Sequence, residues 1–291
     1  MKKIVFIIVF FSLLTLMEVS YGSVDIEQFY PTVVYVETKF PPNLLVYGTG
    51  FFVRSDKWLY FVTAEHVSKK INFDTTATIQ GEQGKPFTFF FRALLLDNKM
   101  DWIYHERADI AVLVISPEKN LMNHLRDYFL DISLLEKAKE APNRNMTITM
   151  LGFPLRLGTR EHFSPISRET KAASGLVEIL IPDIKKTVIC FITQDPSVGG
   201  FSGAPVFDLK LPYSSEKAAL HMRGSKTPRV LGIVSATLPD DTGGKFGVII
   251  PSYLILEVID DFENLHSISK CNRSNFKGRF IAQTFSGPCV D

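Results

Sequence analysis

Ser202 stands at the centre of Gly199-Gly200-Phe201-Ser202-Gly203-Ala204-Pro205, a glycine-rich turn with one hydroxyl in it. A serine hydroxyl attacks a carbonyl only with a base beside it and with donors that hold the negative charge developing on the carbonyl oxygen. Glycines on both sides let the backbone bend sharply and bring N–H groups close to such an oxygen. Gly-x-Ser-Gly also builds ordinary turns, so the stretch needs partners elsewhere in the chain. Two stretches upstream have the right residue types. Tyr60-Phe61-Val62-Thr63-Ala64-Glu65-His66-Val67 is an apolar strand running into a histidine, and Ala108-Asp109-Ile110-Ala111-Val112-Leu113-Val114-Ile115 is an aspartate opening a strand of buried type. A lone histidine or a strand-start aspartate is commonly structural. Base, orienting carboxylate and nucleophile in the order His, Asp, Ser form a much rarer joint pattern.

Those three blocks resemble the signature of the chymotrypsin-like (trypsin-like) serine proteases, in the form of a bacterial-type member: Thr-Ala-x-His at 63–66, Asp-Ile-Ala-Val-Leu at 109–113 and Gly-x-Ser-Gly-x-Pro at 200–205. Gly48-Thr49-Gly50-Phe51-Phe52-Val53 is similar to the strand before the histidine block, and Leu231-Gly232-Ile233-Val234-Ser235 to the strand beside bound substrate. The resemblance spans residues 30 to 262. It implies His66 as general base, Asp109 as the carboxylate orienting its ring, and Ser202 as nucleophile, with the N–H groups of Gly200 and Ser202 as oxyanion hole. Substrate backbone would add as a strand to Ser235-Ala236-Thr237. Pro196 would lie near the base of the primary pocket and Gly247 on its wall, which favours a small or apolar side chain; a shifted loop would bring Asp195 in and favour Lys or Arg.

Three departures from the digestive enzymes of that family stand out. Phe201 takes the place of an aspartate that pairs with a newly cut N-terminus, so the hole must be formed by other packing or by a partner. Val67 follows the histidine where a disulfide cysteine often sits. Glu65 puts a carboxylate beside the base, where it is expected to face solvent and able to raise the histidine's pKa. The remaining histidines, His105, His124, His162, His221 and His266, sit in polar or turn-like surroundings and read as solvated groups. Asp195 and Asp208 read as turn or loop residues.

Residues 1–22 have two lysines, an apolar run from Ile4 to Met17 and Ser20-Tyr21-Gly22, the pattern of a secretory signal peptide. The run is short for a bilayer span of about 20 residues, and no later run reaches that length, so no membrane span is expected after its removal. Of 32 Lys+Arg and 31 Asp+Glu, cleavage would remove Lys2, Lys3 and Glu18, leaving a neutral chain. Neutrality argues against nucleic acid as a partner; a protein or peptide substrate is expected instead. The expected localisation is secreted or periplasmic. Cys271 and Cys289 flank a polar stretch and are a possible disulfide, worth about 3 kcal/mol if formed. Cys190 lies in an apolar run and reads as a buried thiol. No Cys or His ligands stand at metal spacing, and no cofactor is expected.

Short runs rich in Val, Ile, Phe and Tyr alternate with turn residues along the chain. The expected fold is all-β: two six-stranded antiparallel β-barrels of chymotrypsin-like type with a C-terminal helix. Residues 23–116 form the first barrel, carrying His66 and Asp109. Residues 117–146 are the crossing, in which Ser133–Glu140 has helix-forming composition. Residues 147–265 hold the second barrel, with Ser202, and a helix from Pro251 packed against it; 266–291 are a tail. Lys210 to Pro228 is a polar insertion. Two functions follow from such a chain. The first is a serine endopeptidase working through an acyl-enzyme. The second is a catalytically inactive binding module on the same fold, if Phe201 and Glu65 leave the oxyanion hole collapsed. An α/β-hydrolase is disfavoured, because its triad runs Ser, acid, His and its strands alternate with helices.

Overall fold

Apolar residues in period-two runs, broken every few residues by Gly, Pro, Asn or Asp, leave this chain no way to bury its core except by pairing strands. The computed structural model describes residues 26–209 and 228–275, and shows two sheets. The leading segment expected to be a signal peptide, most of the insertion after Leu209, His221 and Cys289 lie outside the described residues.

The first sheet holds β1 (Val33–Phe40), β2 (Leu44–Arg54), β3 (Leu59–Thr63), β4 (Thr76–Gln80), β5 (Pro86–Phe90), β6 (Trp102–Tyr104), β7 (Ala111–Ile115) and β8 (Leu130–Asp131). Its order is β5-β4-β1-β2-β3-β7-β6, antiparallel throughout, with β8 paired in parallel to β2. The N–H of Ser116, just past β7, bonds to Leu94 just past β5, and Leu95 bridges Ile115, so the sheet curls back towards its own edge. The second sheet holds β9 (Thr147–Gly152), β10 (Ile166–Lys171), β11 (Val177–Ile181), β12 (Lys186–Thr193), β13 (Pro205–Asp208), β14 (Arg229–Asp240) and β15 (Gly243–Pro251), in the order β10-β9-β13-β14-β15-β12-β11. It curls likewise: Ala172 bridges Thr193, and Gln194 N–H bonds to Lys171, bringing β10 round to β12.

Each sheet carries strands beyond the expected six. β6 and β8 are three- and two-residue pairings with weak sequence signals. β10, Ile-Ser-Arg-Glu-Thr-Lys, is an edge strand with mostly polar, part-exposed side chains, so its pairing with β9 comes from backbone bonds rather than from an apolar run. Between the sheets the short helix is α2 (Lys119–Leu125), following α1 (Glu65–Ser68), and not the Ser133–Glu140 stretch. There Leu135 bridges Val230 of β14 while the Glu136 carboxylate accepts the N–H groups of Lys137 and Ala138, and this tertiary pairing overrides helix propensity.

The closing helix α3 runs Tyr253–Asn275, starting after Pro251 ends β15 and continuing past residue 265. Leu254, Ile255, Val258 and Ile259 are buried along one face, as their spacing predicts. The helix is not confined to the second sheet. Glu263 accepts hydrogen bonds from Ser55 Oγ (2.6 Å) and Tyr60 Oη (2.8 Å), and Phe262 meets Trp58 edge-on at 5.4 Å, so the helix reaches back onto β3 and the β2–β3 turn. No helix among the described residues is long and apolar enough to cross a membrane.

Candidate active site

β3 delivers its chain into the single turn of α1, where His66 stands half-buried beside the first sheet. Asp109, fully buried at the entry to β7, takes two bonds from that residue: the His66 N–H at 3.0 Å and the ring Nδ1–H at 2.7 Å. Holding both backbone and ring fixes the tautomer, leaving Nε2 as the acceptor. Burial works against the imidazolium, but the hydrogen bond and charge of Asp109 outweigh it, helped by Asp183 and Glu65, so the His66 pKa lies above its ordinary value. Burial also disfavours the Asp109 carboxylate. The His66 ring, the Ser235 hydroxyl and the His66 N–H overcome that cost and hold its pKa below the usual range.

Glu65 does not face solvent. Its carboxylate is buried between Lys69 Nζ (2.8 Å) and Lys186 Nζ (2.5 Å), and Lys186 also donates to the His105 carbonyl. A buried carboxylate needs such partners, and the two ammonium groups supply them while its charge still acts on His66. His105 is no solvated group either: its side chain is 14% exposed and its Nε2 lies 3.1 Å from Glu257 on α3. His124 stacks on Phe87 at 5.0 Å, and His266 packs on Phe262 and Trp58.

The serine turn enters from the second sheet. Gly203 has φ +84° and Gly200 φ +106°, conformations natural to glycine. A Cβ on Gly203 would run into Thr49, Thr63 and Ala64, so only glycine lets the turn pack against the strand and turn that carry His66. Ser202 C=O accepts the Thr49 N–H at 2.9 Å, fastening the serine turn to β2. Phe201, where an aspartate would pair with a cut N-terminus, is 2% exposed in the core with Ile148, Phe191, Val206 and Val234. Burying that ring supplies about 2 kcal/mol towards holding the turn.

The peptide before Gly200 is held too. Leu155 N–H bonds to the Gly199 carbonyl at 2.8 Å, and because a trans peptide points C=O and N–H in opposite directions, the Gly200 N–H is turned the other way. Leu155 and Arg156 sit at φ 51° and 64°, an uncommon backbone for such side chains. Arg156 secures the loop by ion pairing with Glu37 at 3.1 Å and bonding to Tyr35 Oη at 3.3 Å. On the other side, Thr49 Oγ1 donates to the Gly200 carbonyl at 2.7 Å. Among the described residues neither the Gly200 nor the Ser202 N–H has a protein acceptor.

Ser235, expected only as part of a substrate strand, makes two contacts of another kind. Its Oγ donates to Asp109 Oδ2 at 2.6 Å, and its carbonyl accepts Ser202 Oγ–H at 3.2 Å. One residue of β14 therefore touches both Asp109 and Ser202. The Ser-Ala-Thr run shows a strand but nothing of which way that hydroxyl faces, so sequence reasoning missed it. Among the described residues, no hydrogen bond joins Ser202 Oγ to the His66 ring.

The remaining expected residues contact the 195–197 loop or β14 and β15. Ser197 bonds to Ala236 and Thr237 of β14; a Cβ on Gly244 would meet Pro196 Cβ at 3.3 Å, and one on Gly247 would meet Ser197 N at 3.4 Å. Asp195 accepts from Thr170 Oγ1 of β10 at 2.7 Å, which holds its charge on that strand. Cys190 is a buried free thiol pushed up to about 12 by desolvation. The Cys271–Cys289 pairing falls outside the described residues.

No family model matches the chain, and no curated protein does. Solved structures do. The Rv3671c protease of M. tuberculosis in its active form matches at 18% identity over 80% of this chain and 82% of that one, with a TM-score of 0.49. The serine endoprotease from Yersinia pestis matches at 16% identity over 81% and 64%, with a TM-score of 0.45. The HtrA-type protease AlgW with decapeptide matches at 14% identity over 82% of this chain and 66% of that one, with a TM-score of 0.51. Two curled antiparallel sheets, a glycine turn entering between them and a closing helix give this chain the fold of the chymotrypsin-like serine proteases, HtrA-type members among them.

Proposed function

We propose that the chain is a serine endopeptidase acting through an acyl-enzyme, secreted or periplasmic once its leading segment is removed. The observation that carries this reading is the chain of contacts from Asp109 to Ser202: ring Nδ1 on the buried carboxylate, and Ser235 touching carboxylate and nucleophile alike. In the reaction Ser202 Oγ bonds to the scissile carbonyl carbon while its proton passes to His66 Nε2. The carbonyl electrons move onto oxygen, held by the N–H groups of Gly200 and Ser202. Return of the proton from His66 to the leaving amine breaks the C–N bond and leaves the acyl group on Ser202. Water, deprotonated by the same imidazole, then releases the acid.

One observation favours the second reading, an inactive binding module: Ser202 Oγ–H is directed at the Ser235 carbonyl. In the endopeptidase reading that bond is the resting state, left by rotation about χ1 between staggered wells. Digestion of a proteome-derived peptide library by the full chain, with new termini identified by mass spectrometry, separates the two. Endoproteolytic products that vanish in Ser202→Ala support the peptidase; no products, or products that persist in Ser202→Ala, refute it.

A further inference from the structure

The β11–β12 hairpin belongs to the second sheet, yet several of its contacts run to the first. Ile189 N–H bonds to the Arg107 carbonyl at 3.0 Å, and the Arg107 guanidinium pairs with Glu178, the residue opposite Ile189 in the hairpin. Lys186 stands at the closed end, opposite Ile181, where Lys185 N–H bonds to the Pro182 carbonyl at 3.1 Å. Its ammonium donates to Glu65 Oε2 at 2.5 Å and to the His105 carbonyl at 2.8 Å.

Those two acceptors lie on the two segments that carry the His66–Asp109 pair. Glu65 is the residue before His66 in α1, and His105 lies in the segment that leads from β6 to Asp109. An ammonium has three N–H donors, and two of them here close a second link between the same segments, alongside the 2.7 Å bond from ring to carboxylate. This is not a solvated ion pair of little consequence: the Glu65 side chain is only 5% exposed. Burial lowers the His66 pKa, while Asp109 at the entry to β7, Asp183 in the hairpin turn and Glu65 in α1 raise it. The cations Lys69 and Lys186 both sit on Glu65, and His105 Nε2 is held on Glu257 of α3. Without Lys186, the Glu65 carboxylate would be balanced by the half-exposed Lys69 alone.

We propose that Lys186 is a positioning residue for the catalytic base: by pinning Glu65 and the His105 carbonyl from the second sheet, it ties the His66–Asp109 pair to the sheet that carries Ser202 and offsets the charge at Glu65. The inference rests on the endopeptidase reading and concerns how that site is held. Lys186 acts through Glu65 and the 105–109 segment and needs no contact with substrate. Misplacing a reacting group by about 1 Å costs about 100-fold in rate, so a clamp of this kind bears on the rate as well as on stability.

The test times a fluorophosphonate adduct on Ser202 between pH 5 and pH 9, by mass spectrometry, in the full chain and three variants. The acid limb of that rate reports the His66 ring of the free enzyme, and His105 on Glu257 is common to every variant. In Lys186→Gln the plateau rate is expected to fall at least tenfold, and the limb to move up by roughly half a pH unit, because the Glu65 charge is less well balanced. Glu65→Gln moves the limb down. The double variant Lys186→Gln with Glu65→Gln leaves no unpaired carboxylate, so it decides the matter even where Lys186→Gln alone fails to fold; its plateau stays at least tenfold low, with the limb at or below the wild-type position. A plateau within twofold of the wild type in the double variant, or a limb that Lys186→Gln leaves unmoved or lowers, overturns the clamp while leaving Ser202 as the nucleophile. A wild-type chain that forms no adduct on Ser202 overturns the endopeptidase reading and the clamp with it.

Discussion

Ser235 assists the His66 ring in holding Asp109 ionised and accepts the Ser202 hydroxyl on its carbonyl, so its replacement tests both contacts. A hydrogen bond from a neutral donor to a buried charge contributes about 2 kcal/mol. Asp109 has its pKa lowered by the fold, so its contribution to stability is present above the unfolded value of about 3.9 and is lost as pH falls through the lower folded value. Ser235→Ala raises that folded value. Urea unfolding is expected to show a loss of about 2 kcal/mol at pH 7, with acid unfolding beginning at higher pH than in the wild type. An unchanged acid transition would mean that the hydroxyl does not support the carboxylate. His66 has the opposite sign: its pKa is raised, so the stability gained from the imidazolium is present below about 6.5 and disappears as pH rises through the folded value. Catalysis needs the neutral ring, and kcat/KM should therefore rise with pH through an acid limb centred above 6.5. A limb centred below 6 would contradict the His66–Asp109 geometry.

At the scale of elements, the three blocks were legible because each couples a residue type to a local backbone demand. Gly203 must be glycine at φ +84°, Asp109 opens a buried strand, and β3 ends in the turn bearing His66. What stayed hidden depends on partners distant in the chain. Glu65 reads as a surface residue until Lys186, 121 positions away, is brought against it. β10 is too polar to announce itself, and Ser133–Glu140 has helical composition that the Leu135 pairing with β14 overrules. The helical face of α3 was plain from its spacing, whereas its hold on the first sheet was not, because that runs through Glu263. Glu263→Ala leaves the Tyr60 and Ser55 hydroxyls without their acceptor and is expected to destabilise by about 1–3 kcal/mol in chemical denaturation. A loss below a few tenths would place the helix tie elsewhere.

Across the whole molecule, two curled sheets present one long-range arrangement: the serine turn belongs to the second and is fastened to the first through Thr49. Cys190, buried in β12 with its thiol pushed up to about 12, reports whether that arrangement opens as a unit. Iodoacetamide at pH 8 is expected to leave Cys190 unmodified for hours in the native chain and to label it within minutes in denaturant, with the site read by peptide mapping. Rapid native labelling of that residue would show β12 opening on its own. The central claim, that Ser202 is activated through His66, is tested most directly by mapping and timing a fluorophosphonate adduct on the full chain. The account predicts a single adduct on Ser202, formed at least a thousandfold more slowly in His66→Ala; an adduct elsewhere, none at all, or an equal rate without the imidazole would contradict it.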